Sequence, residues 1–229
     1  MTVRQFFRKI TRPEWIISAL IMVGLLLIYF WENRNLEPVY HIYCKLDDYI
    51  PFFEWLGFPY VYWFILIPTS VFQLLWHYTD SDECRRDFHK YAFALFGGWA
   101  ICLLIFYLFP SCIDFRPTTF ERQNIATYCM SIGYAADNPI NVLPSLHAFG
   151  AMTAAFGLCN SSVIKNKRHP LAWKIYYIFF GVTITVATVM IKQHSIIDVF
   201  ASILLSAFVC ALAYGVKWDK IFARKRAEG

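Results

Sequence analysis

His194 and Asp198 stand four residues apart, a spacing that on a helix puts both side chains on one face and within reach of each other. A carboxylate beside an imidazole fixes its tautomer and raises its basicity, which makes the ring a nucleophile or a base. A second histidine closes the run Pro144-Ser145-Leu146-His147. Proline suits the first turn of a helix, and a helix N-terminus offers free N–H groups and a positive dipole end to an anion. Ser145 serves there either as a hydroxyl donor to that anion or only as the residue that starts the helix. Arg116 and Lys192 add the cations that phosphate oxygens attract. Together these groups describe a phosphoryl-transfer site with no obligatory metal and no organic cofactor. His194 attacks phosphorus, Asp198 orients it and stabilises the imidazolium, and His147 protonates the leaving oxygen. Arg116, Lys192, Ser145 and backbone amides hold the equatorial oxygens, where electrostatic stabilisation is usually the largest contribution. Water then hydrolyses the phosphohistidine. A zinc site built from His147, His194 and Asp198 is the rival use of the same residues, but two cations in the cluster would repel the ion.

These side chains need a scaffold, and the scaffold is apolar. Of the 229 residues, 58% are hydrophobic and only 16% charged, with a mean hydropathy of +0.44. A soluble domain carries about a quarter charged residues, and disorder needs low hydrophobicity, so both classes are excluded. The apolar residues gather into charge-free intervals at 15–31, 55–79, 91–113, 138–164, 175–191 and 199–216. A membrane-crossing helix needs about 20 apolar residues, so the fold expected is all-α, an integral membrane bundle of six transmembrane helices. Continuous runs exclude a barrel, whose strands alternate over about ten residues. The fourth interval is the longest because it opens with a non-helical stretch, 138–143. Ala148, Gly150, Ala151, Ala154 and Ala155 make that span small-sided, and Ser202, Ser206 and Cys210 continue the Asp198 stripe. Small residues let helices approach closely, so both faces should point into the bundle.

Lysine and arginine set the orientation. Sixteen of the 21 flank the spans on one side, and Arg34, Lys45, Arg116, Arg122 and Lys192 lie on the other. The positive-inside rule then puts both termini in the cytoplasm. Residues 1–13 read as a basic amphipathic segment, 14–216 as the membrane domain and 217–229 as a basic tail. The N-terminal region lacks the short apolar core and small-residue cleavage site of a signal peptide. Arg116, Ser145, His147, Lys192, His194 and Asp198 all fall at the outer ends of spans, which places the site on the extracytoplasmic face, in a cell membrane.

Arg116-Pro117, Pro144-Ser145-Leu146-His147 and His194-x-x-x-Asp198 resemble the three motifs of the type 2 phosphatidic acid phosphatase superfamily, the lipid phosphatases related to vanadium haloperoxidases. The resemblance runs from the second span to the C-terminus. It implies metal-independent phosphohistidine chemistry on a membrane lipid of the phosphatidic acid, phosphatidylglycerophosphate or polyprenyl diphosphate class. Leu46-Asp47-Asp48-Tyr49-Ile50-Pro51-Phe52 also looks like bacterial members, with no role assigned to it. Two departures stand out. Where the family commonly has Lys six residues before the Arg, this chain has Pro110. Where it has Ser-Arg seven and six residues before the His, this chain has Ala187 and Thr188. Lys192 is the natural substitute. The departures leave three functions open: a lipid phosphatase, a lipid phosphotransferase with another acceptor than water, and a non-catalytic lipid-phosphate binder or transporter.

The aromatic cluster from Phe52 to Trp63 reads as an interfacial belt. The seven cysteines have no metal-ligand spacing, and Cys44, Cys112 and Cys129 face outward, where a Cys112–Cys129 disulfide is one pairing an oxidising compartment allows. No nucleic-acid partner is expected, and nothing in the sequence sets an oligomeric state.

Overall fold

The computed structural model describes residues 11–216. The basic tail and nearly all of the expected amphipathic segment lie outside the described residues. The first helix, α1, runs Pro13–Asn35 with proline in its first turn. It is apolar around its circumference and leaves Ile16, Leu20, Leu27 and Trp31 exposed, as a helix facing hydrocarbon does. A two-residue strand β1 (Tyr40–His41) and a one-turn helix α2 (Leu46–Tyr49) follow. Helix α3 spans Gly57–Trp76. Helix α4 (Asp82–Ala92) continues through a wider turn at Phe93–Gly97 into α5 (Gly98–Leu108). Strand β2 (Ser111–Cys112) pairs in parallel with β1, Tyr40 opposite Ser111 and His41 opposite Cys112. Helix α6 covers Ile125–Ala136, α7 Leu146–Cys159, α8 Ser162–Lys165, α9 Pro170–Met190 and α10 Ile196–Cys210, the last prolonged by a wide turn to Gly215.

Among the described residues the regular structure is helical apart from the β1–β2 pair and a single antiparallel bridge between Cys112 and Ile140. Among the described residues five helical stretches are long and apolar enough to cross a membrane: 13–35, 54–76, 82–108, 170–190 and 196–215. The fourth expected span differs. Its helix α7 has only 14 residues, about 21 Å at 1.5 Å per residue, against roughly 30 Å of hydrocarbon. The apolar interval at 138–164 was long because loop, helix and the one-turn α8 share it. Helix α7 is also the most enclosed of the longer helices, with ten buried residues from His147 to Leu158, so its neighbours rather than lipid surround it. Charge-free intervals also miss polar helix ends: α4 starts at Asp82, nine residues before the apolar run.

Small residues let the neighbours close on α7. A Cβ added at Gly98 would lie 2.0 Å from Phe149 Cζ, and one at Gly181 2.9 Å from Ala155 Cβ. Between helices in lipid, packing and hydrogen bonds replace the hydrophobic drive. Thr153 and Ser206 join α7 to α10 at 2.9 Å, and Tyr177 donates to Gln73 Oε1 at 2.6 Å between α9 and α3.

Candidate active site

His194 lies in the tight turn between α9 and α10. The N–H groups of Gln193 and His194 both donate to the Thr188 carbonyl, at 2.9 and 3.0 Å, and Lys192 adopts φ 57° to make the turn. His194 Nδ1 sits 3.1 Å from the Val142 carbonyl and 3.4 Å from Asp198 Oδ2. Both neighbours can only accept, so Nδ1 carries the proton and the lone pair is at Nε2. Asp198 is fully buried. Its Oδ2 also accepts the Ser195 N–H at 2.9 Å, while Ser195 Oγ accepts the Ile197 N–H, so Ser195 and Asp198 form a capping box at the start of α10. One carboxylate thus starts the helix and orients the imidazole.

His147 opens α7 with its ring packed on Tyr60, Trp63 and Phe64, at centroid distances of 4.2, 4.5 and 5.7 Å. The His147 and His194 centroids are 6.3 Å apart, room for one phosphoryl group with an imidazole on either side. Buried polar atoms are nearly always paired, yet His147 Nε2, Asp198 Oδ1, Gln193 Oε1 and both amide atoms of Asn141 have no partner.

Ser145 is fully buried as the N-cap of α7. Its Oγ accepts the Ala148 N–H at 3.3 Å, and its carbonyl accepts Ser202 Oγ–H at 2.9 Å. Arg116 reaches the cluster indirectly. Its Nη1 donates to the Asp137 carbonyl at 2.7 Å and its guanidinium lies 3.6 Å over the Tyr134 ring. Burial draws the Arg116 pKa down, though a guanidinium stays charged. Lys192 turns away: Nζ donates to the carbonyls of Asp47 and Ile50, both at 2.6 Å. Two of its three N–H groups therefore hold the outer loop.

Two carboxylates were not among the expected site residues. Asp47, in the segment left without a role, accepts Ser195 Oγ–H at 2.7 Å and the Ile196 N–H at 2.9 Å, so with Asp198 it fills the N-terminus of α10. Asp137 is buried behind α6. Its carboxylate accepts from the Tyr29 hydroxyl, from Tyr60 Oη at 3.2 Å and from Gln193 Nε2 at 3.0 Å. Asn33 Nδ2 stands 3.5 Å away. Burial pushes its pKa up, against the opposing pull of the Tyr29 hydrogen bond, His194 and Arg116. The signal was available: Asp137 is the lone charged residue between Arg122 and Lys165.

Two cavities adjoin the cluster. One, of about 400 Å³, is lined almost wholly by apolar groups of α1, α3, α5 and α6, with His147 and Asp137 in its wall. The other, of about 570 Å³, holds Arg116, Tyr134 and Asp114. Asp137 links the two sides, its carbonyl accepting from Arg116 and its carboxylate from Tyr60 beside His147 and Gln193 beside His194.

A family model described as the PAP2 superfamily matches residues 90–222. The chain belongs to that superfamily. No curated protein and no solved structure matches it. The PAP2 match covers every expected site residue and Asp137, while Tyr29, Asp47 and Tyr60 lie upstream of it. PAP2 membership supports an enzyme acting on phosphate esters, and with five membrane-length helices it fits a multi-pass membrane protein. Metal-ligand atoms gather elsewhere. Among the described residues, a trio lying within 4.8 Å of one another belongs to His41, Cys112 and Asp114 on the outer bridge. Cys112 and Cys129 are both free thiols, so the Cys112–Cys129 disulfide is not formed; Cys112 Sγ instead lies 3.4 Å from His41 Nδ1.

Proposed function

We propose that this protein is a membrane lipid phosphatase working through a phosphohistidine, with a membrane lipid phosphate as substrate and the site on the extracytoplasmic face of a six-span bundle whose termini are cytoplasmic. The observation that carries the reading is the His194 environment: two acceptors fix the proton on Nδ1 and leave Nε2 as nucleophile, with His147 6.3 Å away. Nε2 attacks phosphorus as the P–O bond to the leaving alcohol breaks. Protonated His147 gives its proton to that oxygen, within the reach a general acid needs. Neutral His147 then takes a proton from water, whose oxygen attacks phosphorus and releases phosphate and His194. Asp198 stabilises the imidazolium, the first turn of α7 supplies N–H groups for the developing charge, and Arg116 adds positive potential from behind Asp137. The apolar cavity beside His147 supports a lipid over a soluble ester. A phosphotransferase uses the same first half-reaction with an alcohol in place of water, and the cations absent at positions 110 and 188 favour that second reading.

The test is a panel of phosphatidic acid, phosphatidylglycerophosphate and a polyprenyl diphosphate, with purified full-length protein in detergent, measuring released phosphate and new lipid products. We expect metal-independent release, inhibition by vanadate, and an acid-labile phosphoenzyme absent from His194→Ala. Full activity in His194→Ala would overturn the nucleophile assignment. A new phospholipid in place of free phosphate decides for the transferase.

A further inference from the structure

The phosphate oxygens have few cations to meet. Pro110 and Thr188 hold positions where cations were expected, and Thr188 is fully buried with its hydroxyl turned onto the Thr185 carbonyl. Lys192 spends two donors on the outer loop. Arg116 remains, and one of its N–H groups is held by the backbone of Asp137. Into this setting the chain places a buried carboxylate.

Asp137 touches groups from several elements: Tyr29 and Asn33 of α1, Tyr60 of α3, Gln193 of the nucleophile turn, and Arg116 through its carbonyl. Tyr60 stacks on His147 and Gln193 adjoins His194, so the carboxylate is one residue removed from both rings. It interacts electrostatically with His194 and Arg116. Burial favours the neutral acid, but the groups hydrogen-bonded to its oxygens are all donors and His194 and Arg116 add positive charge, which together are the environment of an ionised, acceptor-only carboxylate.

Resting on the phosphohistidine reading, we infer that Asp137 makes the site selective for a phosphoryl group bearing one negative charge, a phosphodiester or a protonated monoester, over a dianionic monoester. A fixed negative charge one residue removed from both rings repels each extra substrate charge, and in a partly buried site that repulsion is weakly screened. The cations that would offset a second charge are the ones this chain lacks. Asp137 is a specificity-determining residue, and it takes no part in bond making.

Dioctanoyl phosphatidic acid and dioctanoyl phosphatidylmethanol differ by one methyl group and, at pH 7.5, by about one charge, since a phosphomonoester loses its second proton near pH 6. Both release diacylglycerol when Nε2 displaces the glycerol oxygen, and water then frees phosphate or methyl phosphate. Wild-type protein in detergent should process phosphatidylmethanol with a kcat/KM about tenfold above that for phosphatidic acid at pH 7.5. Titration of His147 and His194 acts on both substrates alike, so the phosphatidic acid rate relative to the phosphatidylmethanol rate should climb as pH falls through about 6. Asp137→Asn should bring the two substrates to within about twofold and flatten the climb, and Asp137→Glu should restore the preference. A wild-type enzyme that prefers the dianion at pH 7.5 overturns the inference without any variant. An unchanged ratio in an Asp137→Asn protein that melts like wild type does the same. Release from neither substrate nor from the lipid panel overturns the phosphohistidine reading itself.

Discussion

At the scale of single residues, the two imidazoles are separated in role by what touches them. His194 has its proton fixed by a carbonyl and a carboxylate, whereas His147 is held by aromatic faces with Nε2 unpartnered. If His147 is the general acid, its loss should matter in proportion to the leaving group. We expect His147→Gln to lower kcat about 10²–10⁴-fold with a lipid alcohol, and by less than tenfold with a p-nitrophenyl ester, whose oxygen needs no proton. Equal losses with both substrates would leave His147 a structural role. The histidines, Asp198 and Arg116 could be singled out in the sequence because their types and spacings already describe chemistry. Asp137 and Asp47 were not, because what matters about them is contact with Tyr29, Tyr60, Gln193 and Ser195, over separations from 56 to 148 residues, and such distances leave no periodic trace.

At the scale of elements, the site depends on helix starts. Helix α10 begins under two carboxylates, Asp198 from within and Asp47 from the outer loop, and Lys192 ties that loop back to the turn. Asp47→Ala leaves the Ser195 hydroxyl and the Ile196 N–H without their acceptor, at a cost of about 1–3 kcal/mol. It should lower the melting temperature and kcat together, while Asp47→Asn, which keeps an acceptor oxygen, should lose less of both. A melting temperature unchanged in Asp47→Ala would remove the loop from the account. Packing around α7 gives a second expectation. Gly98→Ala drives a methyl against the buried Phe149 ring and should destabilise by about 1–3 kcal/mol, whereas Gly24→Ala, which meets no neighbour within 4 Å, should not, as thermal unfolding in detergent will report. Helix existence was readable from composition; the length of α7 was not, because an apolar interval does not say where its backbone stops being helical.

For the whole molecule, the proposed orientation makes a labelling prediction. Gln123 and Asn166 are both exposed, on opposite sides of that topology. In intact cells a membrane-impermeant maleimide should modify Gln123→Cys, and should modify Asn166→Cys only after permeabilisation, as peptide mass mapping will show. The reverse pattern would invert the protein and place its chemistry in the cytoplasmic leaflet.

Helix α7 is about 9 Å shorter than a hydrocarbon layer, and His147 stands at its opening turn. On the proposed orientation, a far end of α7 level with one surface would sink the proposed site beneath the other. A headgroup would then have to leave the water to reach His147, so depth as well as charge would sort the substrates, and a bulky or heavily hydrated polar group would be turned back before any bond is at stake.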